Sequence, residues 1–224
     1  VRHDLAHIMA RAVQEIWPDT KVTIGPVIKD GWYYDFDRKE PFTPEDFDRI
    51  EAGMTEIVSA ALPFQRTEMT SSEAISKFTQ ENEKFKVELI EDLETDAVSL
   101  YHVGEFTDLC RGPHLPNTSF IKAFKLLRVA GAYWRGDEKN AMLQRIYATA
   151  FTDKKELKKH LQRLEEAKKR DHRRLGKDLQ LFTINDQIGP GLILWQPKGS
   201  LLRRLIEDYW KDEHYRHDYE LLYT

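Results

Sequence analysis

Leu143-Gln144-Arg145-Ile146-Tyr147-Ala148-Thr149-Ala150 reads as a β-strand, and at Asp153 the character of the chain changes. From 153 to 177 it is dense in cations, Lys154, Lys155, Lys158, Lys159, Arg163, Lys168, Lys169, Arg170, Arg173 and Arg174 among them. Leu157, Leu161, Leu164 and Ala167 keep helical spacing beneath these charges. This pattern predicts one long, basic, amphipathic helix with Asp153 near its N-cap. On the near side of that junction, 98–151 is strand-like, with aromatics and turns at Leu100-Tyr101-His102, 124–129 and Ala132-Tyr133-Trp134.

Further back, a helix over 3–17 with the stripe Leu5, Met9, Ala12 and Ile16 ends at Pro18. Strands are predicted at 22–28 and 32–36, joined by Lys29-Asp30-Gly31. Thr43-Pro44-Glu45 starts a helix that runs to about 62, before Pro63. A strand over 64–69 precedes a short helix capped by Ser71 and Ser72 and ending near Phe78. Beyond the basic stretch, Gly189-Pro190-Gly191 breaks the chain. A helix over 199–215 follows, with Leu202, Leu205, Ile206 and Tyr209 on its apolar face, and then a strand over 219–224. A lone helix and strand cannot build a sheet core, so the chain is expected to be cut inside a second domain.

The chain has 224 residues, 41% hydrophobic and 32% charged, which is a globular balance. No apolar run approaches the ~18–20 residues of a membrane helix. The sole cysteine, Cys110, excludes an internal disulfide framework. With no secretory apolar region after Val1-Arg2-His3-Asp4, it suits a reducing compartment, the cytoplasm. Net charge is −4, so any nucleic-acid contact must come from a local patch.

Four residues stand out chemically. His3 and His7 are four apart, so a helix puts both imidazoles on one face, away from the apolar stripe. Cys110-Arg111-Gly112-Pro113-His114 sets a thiol and an imidazole across a turn. Together they form a tetrahedral ligand set on paper; the plain alternatives are a solvated histidine pair and a small buried cysteine. Lys86 lies between Phe85 and Val87, where a lysine is partly desolvated. Asp108 precedes the Cys110 turn and could orient a base or accept a hydroxyl. Taken singly, each reads first as a surface charge and only second as a functional group. Trp134-Arg135 could stack and clamp a single-stranded nucleotide end, or be a packed strand end. The basic helix is a solvated face with i,i+4 pairs, or a docking strip for a phosphate backbone.

His3-x-x-x-His7, Ile24-Gly25-Pro26-Val27 with Gly31-Trp32-Tyr33-Tyr34-Asp35-Phe36, and Cys110-Arg111-Gly112-Pro113-His114 closely resemble the editing domain of bacterial threonyl-tRNA synthetases. So do 131–137, 143–147 and 170–176, while 191–224 resembles the first signature helix and strand of a class II synthetase core. The resemblance implies an α+β fold: an antiparallel or mixed sheet with packed helices over 1–152, a linker helix over 153–177, and the start of the class II domain over 178–224. It implies hydrolysis of seryl-tRNA(Thr) at the ester to the terminal adenosine. His3, His7, Lys86, Asp108, Cys110 and His114 would line the pocket. Water would be activated by histidine and Lys86, and Asp108 would hold the substrate's amino group or a hydroxyl. The tRNA would be met by Trp134, Arg135, Lys158, Lys159 and Arg163. No metal is implied for editing, although alanyl-type relatives hold zinc there. ATP, magnesium and zinc belong to the rest of the catalytic core, which also builds the homodimer of the parent enzyme. Two other readings are an alanyl-type free-standing editor and a non-enzymatic tRNA-docking module with structural zinc.

Overall fold

The computed structural model describes residues 1–185, 187–189 and 191–222. The chain divides into two compact units, 1–158 and 159–224. The dividing point falls inside the basic helix rather than at its start.

The first unit opens with α1 (Arg2–Ile16). Leu5, Met9 and Ala12 of the expected stripe are fully buried, and Ile16 packs at the edge of the core. Burial extends right around the middle of the helix, from Asp4 to Ala10, so its polar side is covered as well. The helix packs against a five-stranded antiparallel sheet made of β1 (Lys21–Val22), β2 (Val27–Ile28), β3 (Gly31–Asp37), β7 (Ala123–Tyr133) and β8 (Met142–Phe151). Their order is β1-β3-β8-β7, with β2 also on β3. The strand expected over 22–28 is split in two. Pro26 has no N–H to give a ladder, and Gly25 lies so close to Tyr34 that a Cβ there would meet the ring at 2.4 Å. α2 (Pro44–Ser59) starts as expected at Thr43, whose backbone N–H donates to the Asp46 carboxylate at 2.9 Å. Trp32, Tyr34, Phe36, Ile50, Met54 and Ile146 fill the space between helices and sheet and are fully buried.

A second antiparallel sheet is formed by β4 (Phe64–Thr70), β5 (Ala97–Val103) and β6 (Phe106–Leu109), in the order β4-β5-β6. Between β4 and β5 lie α3 (Ser71–Gln80) and α4 (Lys84–Asp92). The cap of α3 is Thr70, in a reciprocal pair with Glu73, rather than Ser71 or Ser72. No helix over 84–92 follows from the hydrophobic pattern, because the face that α4 buries includes a lysine: Phe85, Lys86 and Ile90.

The single basic helix over 153–177 is not what forms. α5 (Lys154–Lys169) stops, and α6 (His172–Asp178) starts afresh at Asp171, whose carboxylate accepts the Arg173 N–H at 2.8 Å. An aspartate placed to cap the next turn competes with continuation of the helix. No residue of α5 is buried; Lys158, Lys159 and Arg163 are exposed.

In the second unit, β9 (Phe182–Ile184) and β10 (Ile193–Trp195) pair antiparallel. α7 (Pro197–Arg216) begins two residues before the expected start, with proline in its first turn. Leu202, Leu205, Ile206 and Tyr209 are exposed on it. Residues 219–222 form no strand, and 223–224 of that expected strand lie outside the described residues, as does Pro190 of the expected break.

Candidate active site

α1 and the turn after β6 bring their four marked side chains together. Cys110 Sγ lies 3.2 Å from His3 Nε2 and 3.1 Å from His114 Nε2. The three imidazole centroids are 4.5–5.1 Å apart. The turn is held from both sides. The Gly112 N–H donates to Cys110 Sγ at 3.2 Å, and Ser99 Oγ donates to the Cys110 carbonyl at 2.6 Å. Gly112 has φ +70°, and a Cβ there would stand 2.2 Å from the Tyr101 hydroxyl, so only glycine fits. His114 stacks on Phe64 at 5.0 Å.

Behind this cluster lies a buried polar network. The His7 Nδ1–H donates to Asp108 Oδ2 at 2.7 Å, and the Tyr34 hydroxyl donates to the same oxygen at 2.9 Å. Lys86 donates to Asp108 Oδ1, to the Thr23 carbonyl at 2.5 Å and to the Tyr34 oxygen at 3.2 Å. An ammonium has three N–H donors, and all three are used here. Lys86 and Asp108 are each 2% exposed. Asp108 accepts three hydrogen bonds, two at Oδ2 and one at Oδ1, and so orients His7 and Lys86. Two participants, Tyr34 and Asp4, escaped the sequence reading. Asp4 Oδ1 accepts the Leu115 N–H at 2.8 Å and pairs with His114 Nδ1 at 3.1 Å.

The charges follow from these contacts. Burial alone would lower the His7 pKa, but Asp108 beside it pushes it up to about 9. Burial alone would raise the Cys110 pKa, but hydrogen bonds from His114 and His3 bring it down to about 4. Asp108 is held well below the carboxylate range; burial opposes this, and Lys86 and His7 outweigh it. Among the described residues, the buried His7 Nε2 makes no hydrogen bond.

The donor atoms of His3, His7, Cys110 and His114 all lie within 4.8 Å of one another, so these four could hold a metal ion. Asp108 on His7 and Asp4 on His114 fix the rings from behind, as carboxylates do for metal-ligating histidines. A zinc ion there would lower the pKa of a bound water.

Trp134 does not present its ring. It is 5% exposed, packs on Phe85 and Leu143, and donates its indole N–H to Glu88 at 2.9 Å. The packed strand end is what forms. Arg135 is ion-paired with Asp92.

Residues 98–147 match the family described as "Threonyl and Alanyl tRNA synthetase second additional domain". The chain is 59% identical over 222 residues to the threonine--tRNA ligase of Pelobacter propionicus, 99% of this chain and 35% of that protein. It is 58% identical to that of Geobacter sp. strain M21 over the same shares. To that of Oleidesulfovibrio alaskensis it is 54% identical, with 100% of this chain and 35% of the relative covered. Among the described residues no helix is long and apolar enough to cross a membrane. Over nearly its whole length, therefore, the chain is homologous to bacterial threonine--tRNA ligases, of which it spans about a third, and it carries the additional domain shared by threonyl- and alanyl-tRNA synthetases.

Proposed function

We propose that the first unit proofreads: it hydrolyses serine from tRNA(Thr) at the ester to the terminal adenosine. The need is physical, because serine differs from threonine by one methyl, and such a difference discriminates by only ~1–3 kcal/mol. A second site that admits the smaller side chain and rejects the larger restores fidelity. The observation that carries this reading is the convergence of His3, His7, Cys110 and His114, whose donor atoms lie within 4.8 Å of one another, from two elements far apart in sequence.

In this reading water adds to the seryl carbonyl, the bond to the ribose oxygen breaks, and that oxygen takes up a proton. His7, kept as imidazolium by Asp108, suits the donor of that proton. His3, half-exposed beside Cys110, suits the water side. Lys86 and Asp108 set the charge of the cluster from behind. Lys158, Lys159 and Arg163, exposed on α5, would meet the phosphate backbone of the tRNA. Aminoacylation, with its ATP, magnesium and zinc, and dimerisation through the class II core are assigned to the longer proteins of which this chain spans a third.

A second reading is favoured by the four-donor geometry: zinc held by His3, His7, Cys110 and His114 in a tRNA-docking module. Deacylation of seryl-tRNA(Thr) and threonyl-tRNA(Thr) by the protein, with its zinc content measured, separates the two. Release of serine with threonine spared, slowed in His3→Ala and His7→Ala, supports proofreading. Stoichiometric zinc with no release of serine overturns it.

A further inference from the structure

Beside the four-donor cluster lies a cleft of about 420 Å³. Leu89, Leu93, Val98 and Leu109 supply apolar wall, and the lining continues to Cys110 and Arg111. Arg111 is the one cation in that lining. Every other arginine of residues 1–158 holds a carboxylate, a backbone carbonyl or an aromatic ring. Arg111 is exposed, and among the described residues its guanidinium has neither ion pair nor hydrogen bond. Its backbone, by contrast, is fixed on both sides. The Cys110 N–H donates to the Ser99 carbonyl at 3.1 Å, and the Gly112 N–H donates to Cys110 Sγ. A free cation on a rigid turn next to the reactive cluster is set up for an anion that arrives with the substrate.

We propose that Arg111 anchors the phosphodiester on the 5′ side of the terminal nucleotide, with the nucleoside lying along the apolar cleft and the aminoacyl ester reaching the Cys110 cluster. The proposal rests on the proofreading reading and names a contact that reading leaves open. Guanidinium and phosphate pair through two parallel N–H···O bonds. A contact to phosphate positions a substrate without reading its base. The uncharged walls suit the flat, weakly polar body of a nucleoside.

The test uses two non-hydrolysable probes: the seryl amide of 3′-amino-3′-deoxyadenosine, and the same compound carrying a 5′-(methyl phosphate). Their affinities for the protein and for Arg111→Gln are measured by calorimetry. The phosphate is expected to tighten binding to the unaltered protein about five- to tenfold. Arg111→Gln should erase that gain and leave the affinity of the phosphate-free probe within about twofold. Equal affinity of the two probes for the unaltered protein overturns the anchor while the proofreading reading stands. A gain that survives in Arg111→Gln overturns it too, since another cation then holds the phosphate. If neither probe binds at millimolar concentration, the proofreading reading fails and the anchor with it.

Discussion

His7 Nδ1 lies 2.7 Å from Asp108 Oδ2, a contact between residues 101 positions apart and both almost fully buried. It joins the histidine pair of α1 to the residue that precedes the cysteine turn by two. It also fixes the ring of His7, so that Nε2 faces away from the carboxylate.

This contact makes stability depend on alkaline pH. Burial opposes the charge on His7 but Asp108 overrides it, and the folded pKa rises to about 9. A group raised on folding contributes fully below its unfolded value of ~6.5, and that contribution is lost as pH rises through the folded value. Denaturant midpoints of the unaltered protein should therefore fall between pH 6.5 and 9.5, and those of His7→Gln should fall less. Parallel curves for the two proteins would refute the ion pair.

Asp108→Asn should be far more damaging than its isosteric shape suggests. It leaves the Lys86 ammonium buried without its counter-charge, which costs about 3–5 kcal/mol. Lys86→Met in the same chain should recover a good part of that loss, because no orphaned charge remains. Chemical denaturation of both single variants and the double variant gives the coupling; additive losses would contradict it.

Cys110 is the only thiol, so its ionisation can be read directly from thiolate absorbance against a Cys110→Ser blank, after chelation of any metal. The midpoint is expected near pH 4 instead of the ordinary ~8.5. His114→Ala removes one of the hydrogen bonds that stabilise the thiolate and should move the midpoint upward. A midpoint above pH 7 in the unaltered protein would mean that the imidazoles do not converge on the sulfur.

Trp134→Ala should act on folding and not on recognition. The ring packs on Phe85 and Leu143 and ties α4 to β8, so truncation should cost about 3–5 kcal/mol. Trp134→Phe should leave KM for seryl-tRNA unchanged while lowering the melting temperature. A rise in KM of several-fold without loss of stability would restore the stacking role.

Much of this was legible in the residues. The i,i+4 histidines and the Gly112-Pro113 corner announce a shared site because both spacings fix directions locally. The support behind them was not legible. Asp4 sits between Val1 and Leu5 as an ordinary first-turn acid, and only the packing of residues 114–115 on α1 gives it a task. Tyr34 reads as a core aromatic; its hydroxyl matters because β3 crosses beside Asp108. α4 was hidden by Lys86, which occupies a position where the helical pattern calls for an apolar residue. The break between α5 and α6 was hidden because Asp171 reads as one acid among many cations. Its capping role depends on the backbone turning there.

Asp4 has a consequence for how the four-donor cluster is held together. One carboxylate oxygen takes both the amide of Leu115 and the ring of His114, so the opening helix and the cysteine turn are bolted together. His3 and His7 on the helix and Cys110 and His114 on the turn are thereby tied into one unit. A change at Asp4 would therefore act on the helix and on the turn at once, although the residue touches neither His3 nor Cys110 through its own hydrogen bonds.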